Sequence, residues 1–153
     1  MRRNIVLTLT IAVMMALAVP AGASPPTGVH IEVETSFGGP SPFVASGQAV
    51  DDGLVCAEGM VDDASGKVSG FSPNGFNFQG VKHFICDDGS GEFFVKLQAR
   101  IYFSEQPVKF NWNVVGGTGD YEDLHGAGSG VGLPLCGDDC VFDIYDGGLH
   151  IDP

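Results

Sequence analysis

Paired carboxylates recur at Asp51-Asp52, Asp62-Asp63, Asp87-Asp88 and Asp138-Asp139, and closely spaced acids can chelate a hard cation. Two stretches take that chemistry furthest. Asp87 and Asp88 open the segment 87–92, and Asp120 and Asp123 lie in the glycine-rich stretch GGTGDYEDLHGAGSG at 116–130. Both are candidates for the weak calcium binding found in extracellular modules. A local reading competes with it. Asp side chains hydrogen-bond their own backbone in turns, and every pair falls where a turn is expected.

The glycines of 116–130 raise phosphate chemistry next, and placement rejects it. A phosphate-cradling loop needs Gly-Lys-Ser/Thr after its first glycine, and no lysine follows here. In a dinucleotide loop counted from Gly117, the third glycine position holds Glu122. The repeat G-G-x-G-x-D, laid on Gly116, puts Tyr121 where the acid belongs and has no second copy. His125, Asp120 and Asp123 are the stretch's remaining candidates for chemistry.

His30, His83, His125 and His150 never form H-x-H or H-E-x-x-H, so no zinc motif is present. His30-Ile31-Glu32 with PLCGDDC at 134–140 fails as a deaminase signature, because Pro134 is not adjacent to Cys136 and three residues separate the cysteines. No G-x-S-x-G elbow occurs. No cofactor is implied.

The elements that must position these groups are strands. In GEFFVKLQARIYFSE (91–105), Phe93, Val95, Leu97, Ala99, Ile101 and Phe103 share one face, with Glu92, Lys96, Gln98 and Arg100 opposite. That alternation is the period of a half-buried strand. Segments 29–35, 54–61, 77–86, 108–115, 123–133 and 140–151 repeat the theme. Turn-forming residues separate them at 38–40, 51–53, 62–66, 72–75, 87–91 and 147–148. Strands 77–86 and 91–105 flank DDGSG as one long hairpin. No twelve-residue stretch has helical periodicity. The expectation is an all-β, antiparallel sandwich or barrel of about eight strands. Gly116–Gly119 reads as a turn needing positive φ. Gly126, Gly128, Gly130 and Gly132 form a bare stripe against which a backbone or an aromatic ring can sit closely.

Residues 1–23 read as an export signal: Arg2 and Arg3, an apolar run from Ile5 to Val19, then Ala21-Gly22-Ala23. The run is shorter than the roughly twenty residues of a spanning helix, so no membrane span is expected. Residues 24–153 would form one secreted domain. Four cysteines in an exported chain favour disulfides and allow three connectivities. Cys56–Cys86 and Cys136–Cys140 are favoured, the first joining two expected strands and the second being local. The formal charge of −12 excludes nucleic acid, whose binding needs clustered Lys and Arg.

WNVVGGTGDYEDLHGAGSG (112–130) and FICDDGSGEFFVKLQA (84–99) resemble the allene oxide cyclase and dirigent-like β-barrels, above all their uncharacterised exported bacterial members. The likeness spans about residues 77–132. It implies an eight-stranded antiparallel barrel holding a hydrophobic molecule; the plant members cyclise a fatty-acid epoxide or steer the coupling of phenolic radicals. Their working carboxylates, tyrosines and arginines lie outside the glycine segment, and none maps onto a residue here.

Eleven Phe, three Tyr and one Trp suit a barrel interior that binds a small hydrophobic or amphipathic ligand or a partner. Glu58, His83, Arg100, Tyr102 and Trp112 are the candidates for its lining. The alternatives are an isomerase or cyclase working on a lipid-like substrate in the barrel, and a structural or adhesive extracellular protein.

Overall fold

The computed structural model describes residues 25–36, 39–134 and 140–152. Residues 1–23, expected to be an export signal, lie outside that range, as does Cys136, one end of the expected second disulfide.

Strand β1 (Thr27–Ser36) turns Val29, Ile31, Val33 and Thr35 inward, and β2 (Ser41–Ser46) turns in Ser41, Phe43 and Ala45. A single helical turn, α1 (Gln48–Asp51), follows, with Ala49 wholly buried. Then come β3 (Glu58–Ser72), β4 (Gly75–Cys86), β5 (Gly91–Tyr102), β6 (Val108–Gly119), β7 (Leu124–Leu133) and β8 (Cys140–Ile151). Each pairs antiparallel with its sequence neighbours, and β8 returns to β1, closing an eight-stranded barrel. The expected all-β barrel is the fold.

Three local expectations change. The acids at 62–66 do not turn the chain: β3 runs through them, absorbing the irregularity as a register shift between Asp63 and Ser65. Gly147 and Gly148 lie inside β8, paired with Gly128 and Ala127. Likewise β6 continues through Gly116–Gly119, with a register shift at Phe94/Val95. The left-handed residue there is Gly119 (φ 63°), and the turn itself is Asp120–Asp123. Strand β2 and helix α1 were not expected, and Cys56 precedes β3 rather than lying in a strand.

The barrel's two ends differ. At the end where β4 passes to β5, α1 and the following residues Val55 and Cys56 cover the interior. The Cys56–Cys86 disulfide ties this cover to β4, and about 3.5 kcal/mol of chain entropy follows from its loop length. Below it, rings fill the barrel. Phe84 stacks on Phe93 at 4.8 Å between centroids, Phe43 meets Phe84 edge-on at 5.1 Å, and Tyr145 meets Phe110 at 4.9 Å.

The glycine stripe makes that packing geometrically possible. Gly128 faces Trp112 across the β6–β7 ladder, and a Cβ there would come within 2.8 Å of the Trp112 ring. Gly130 stands in the same relation to Phe110, and Gly147 to Trp112 from the other side. Bare backbone on β7 and β8 is where the two largest rings of β6 lie.

Candidate functional site

Past the rings the inward side chains become smaller. Leu97, Ala99 and Ile101 on β5, Val108 on β6, Gly132 on β7 and Val141 on β8 do not fill the barrel. A cavity of about 390 Å³ remains, walled on the β3 and β4 side by Val68, Phe76 and Phe78. Phe110 borders both this cavity and the packed rings. At the edge of that wall Phe76 clusters with Phe71 and Phe103 at 5.6 and 5.9 Å, with Phe71 75% and Phe103 62% exposed. The barrel thus has an apolar lip at this end, which we term the mouth.

Four polar side chains line the cavity: Thr35, Asp63, Lys82 and Asp143. Lys82 is inward because it shares the parity of Phe78, Phe84 and Cys86 along β4, and it is 7% exposed. Its Nζ lies 2.7 Å from Asp63 Oδ1 on the neighbouring strand, where the two residues are register partners. A buried ammonium is tolerable only with such a partner. Asp143, inward on β8, has a weaker arrangement. Thr35 donates its hydroxyl to Asp143 Oδ2 at 2.8 Å, while Oδ1 lies beside Gly132, which has no side chain to cover it. Burial pushes the Asp143 carboxyl above its usual range; the Thr35 hydrogen bond and the charge of Lys82 only partly oppose this.

Tyr145 lies deeper, 1% exposed, and its hydroxyl has no hydrogen-bond partner among the described residues. Burial, then the charges of Asp143 and Asp63, push its phenol well above the ordinary range.

The lining expected from sequence needs correction at four of five positions. Arg100 and Tyr102 project outward from β5, since its inward set is Phe93, Val95, Leu97, Ala99 and Ile101. The Arg100 guanidinium stands 5.2 Å from the Tyr102 ring centre. His83 is on the outer face of β4, its Nε2 2.7 Å from Glu92 and its ring stacked on Phe94 at 4.5 Å. Glu58 is exposed and pairs with outward Val44. Trp112 is inside, 3% exposed, but it belongs to the packed rings; its Nε1 donates to the Ser129 carbonyl at 3.1 Å.

Arg100 and Tyr102 instead line a shallow outer groove of about 930 Å³ with Gln98, Lys109, Asn111 and Asp146. It forms because the β5–β6 ladder ends at Ala99 and Phe110. Val108 and Phe110 border both groove and cavity. The groove is larger, yet its walls are mostly exposed polar side chains. The cavity can remove more of a small ligand's apolar surface from water, which is what small-molecule sites do.

The calcium candidates sit at the covered end. Asp88 Oδ1 accepts the Ser90 amide at 2.9 Å and also the Ser90 hydroxyl, and the hydroxyl bond is the main cause holding its carboxyl below the usual range. Asp120 donates its amide to Ser90 O at 2.9 Å. The Asp123 carbonyl accepts the Asp152 amide at 3.2 Å, and Asp87 is exposed. Ser90 Oγ and the Tyr121 hydroxyl, 2.6 Å apart, join the two turns. Among the described residues no three His, Cys, Asp or Glu are grouped to hold a metal ion.

Fold and site together define a class: a disulfide-bonded, closed antiparallel barrel, packed at one end and hollow at the other. No family model matches the chain, and no curated protein matches it. Among solved structures a pyocyanin demethylase is similar, with 16% identity over 82% of this chain and 99% of that one. Its TM-score of 0.39 is too low for that likeness to carry any argument about chemistry.

Proposed function

We propose that the protein is an exported barrel that binds a small hydrophobic or amphipathic ligand in the cavity at its mouth. The observation that carries this reading is the cavity itself, about 390 Å³ of apolar-walled space, within the range of small-molecule sites. The exposed phenylalanines at the lip support it, since such patches often border ligand grooves. Export is supported by the leader-like residues 1–23 and by the Cys56–Cys86 disulfide, a bond that persists in oxidising compartments. Placement among the allene oxide cyclase and dirigent-like barrels belongs to the same reading, supported by strand number and the glycine-striped strand.

Octan-1-ol serves as the probe. Its titration should shift the methyl resonances of Leu97, Ile101, Val108 and Val141 saturably, leaving those of Val29 and Leu149 in place. Ala99→Phe, which fills the cavity with a ring, should abolish the shifts while the fold persists. Absence of saturable shifts in the wild type, or shifts unaffected by Ala99→Phe, rejects the reading.

A further inference from the structure

We propose that the cavity selects ligands with a protonated amine head, and that the Asp143 carboxylate is the counterion that receives it. This rests on the ligand-binding reading above and adds the class of ligand.

Among the described residues three ionisable side chains line the cavity, Asp63, Lys82 and Asp143. Lys82 and Asp63 are in contact at 2.7 Å, so the three together carry a net negative charge when Asp143 is ionised. Among the described residues Asp143 accepts a hydrogen bond from the neutral Thr35 hydroxyl at 2.8 Å and forms no ion pair, the Lys82 charge acting on it only without contact. Asp143 is half-buried; a carboxylate partly removed from water without a partnering cation is costly, and an ammonium that supplies several N–H donors offsets the cost.

Access fits as well as charge. Oδ2 is taken by Thr35, whereas Oδ1 lies next to Gly132, where any side chain would crowd it to 2.9 Å. The glycine leaves that oxygen approachable from the cavity. The same cavity is lined by Phe76, Phe78, Leu97 and Ile101, which suit a hydrocarbon tail. An anionic head would meet the opposite field: to reach Lys82 it must displace Asp63 and lie close to Asp143. A neutral head would bind through its tail alone and leave Asp143 as it is.

The test uses three probes with one tail: octylamine, octan-1-ol and octanoate, titrated calorimetrically into the full chain at neutral pH. Octylamine should bind at least about tenfold more tightly than octanol, which corresponds to about 1.4 kcal/mol, and octanoate more weakly than octanol. In Asp143→Asn the amine preference should fall to about twofold or less, with octanol affinity kept, which also reports that the variant cavity is intact. Equal affinity of octylamine and octanol, or tighter octanoate, overturns the amine proposal and leaves the ligand-binding reading standing. Failure of all three to bind overturns both. An amine preference that survives in Asp143→Asn overturns the assignment to Asp143.

Discussion

The two halves of the barrel are built from the same eight strands and end up with opposite interiors. Toward α1, inward positions carry Phe43, Phe84, Phe93, Trp112 and Leu124, each buried, with Tyr121 folded in from the β6–β7 turn, and a disulfide secures the cover. Toward the mouth, the same strands carry Ala99, Val108, Gly132 and Val141 at inward positions, and space remains. Glycine acts differently in each. Gly128, Gly130 and Gly147 receive rings, so removing a side chain there raises packing density. Gly132 receives no ring, so the missing side chain becomes part of the void. A barrel interior is thus set by what faces each small residue, and not by the small residue itself.

The largest effects should come from the packed half. Removing the covalent tie with Cys56→Ser should cost about 3.5 kcal/mol, from the loop that Cys56–Cys86 closes. Urea unfolding of oxidised wild type against the variant measures it. A loss below about 1 kcal/mol would show that the cover at α1 is held by packing alone. Gly128→Ala should cost about 3 kcal/mol or more, since overpacking of this kind displaces backbone. The added methyl would overlap the Asp146 carbonyl oxygen and come within 2.7 Å of the Gly147 Cα. A near-neutral result by the same unfolding assay would mean that the ring seat is not rigid.

Tyr145 lies on the boundary between the halves and should behave in the opposite sense. Its ring packs against Phe84, Phe110 and Trp112, but its hydroxyl is buried and unpartnered. Tyr145→Phe keeps the ring and removes the desolvated hydroxyl, so a gain of about 1 kcal/mol is expected. A loss in thermal unfolding would indicate that the hydroxyl has a stabilising contact in solution.

The apolar positions of both halves were legible in the chain, and the polar groups of the mouth were not, for one physical reason. Alternation of apolar residues identifies an inward face, and Phe93 to Ile101 or Phe110 to Val114 could be assigned from it directly. The same pattern makes an inward polar residue look like an interruption. Lys82 stands between Phe78 and Phe84, and Asp143 between Val141 and Tyr145, all in the inward register. Parity alone was enough to place both. What parity could not supply was the partner: the Lys82–Asp63 pair depends on the β3–β4 register, across acids that read as a turn. Arg100, Tyr102, His83 and Glu58 drew attention because their side chains are chemically versatile, yet parity puts the first three outside, and β3 pairing puts Glu58 outside too. The glycine stripe was legible as a place for close approach, because period-two glycine has few other uses in a strand, but which of its glycines would receive Trp112 and Phe110 depended on the β6–β7 register.

The smallest effect belongs to the mouth and carries a definite sign. Burial raises the folded-state pKa of Asp143 above the ordinary 3.8, so the folded protein holds that proton more tightly than the unfolded chain does. Stability from this group is fully present below the unfolded value and is lost as pH rises through the raised one. Wild type should therefore lose stability relative to Asp143→Asn as pH climbs from below 3.8, with the difference levelling off once Asp143 is ionised. Asp63 and Lys82, the other charged groups facing the cavity, are present in both proteins, so the comparison isolates Asp143. Thermal midpoints taken side by side across the acid range measure it, and a difference that is flat with pH contradicts the burial of a charged carboxyl. Saturating octylamine should narrow the difference at neutral pH, because an ammonium at Oδ1 would give the buried charge the counterion that Thr35 cannot provide.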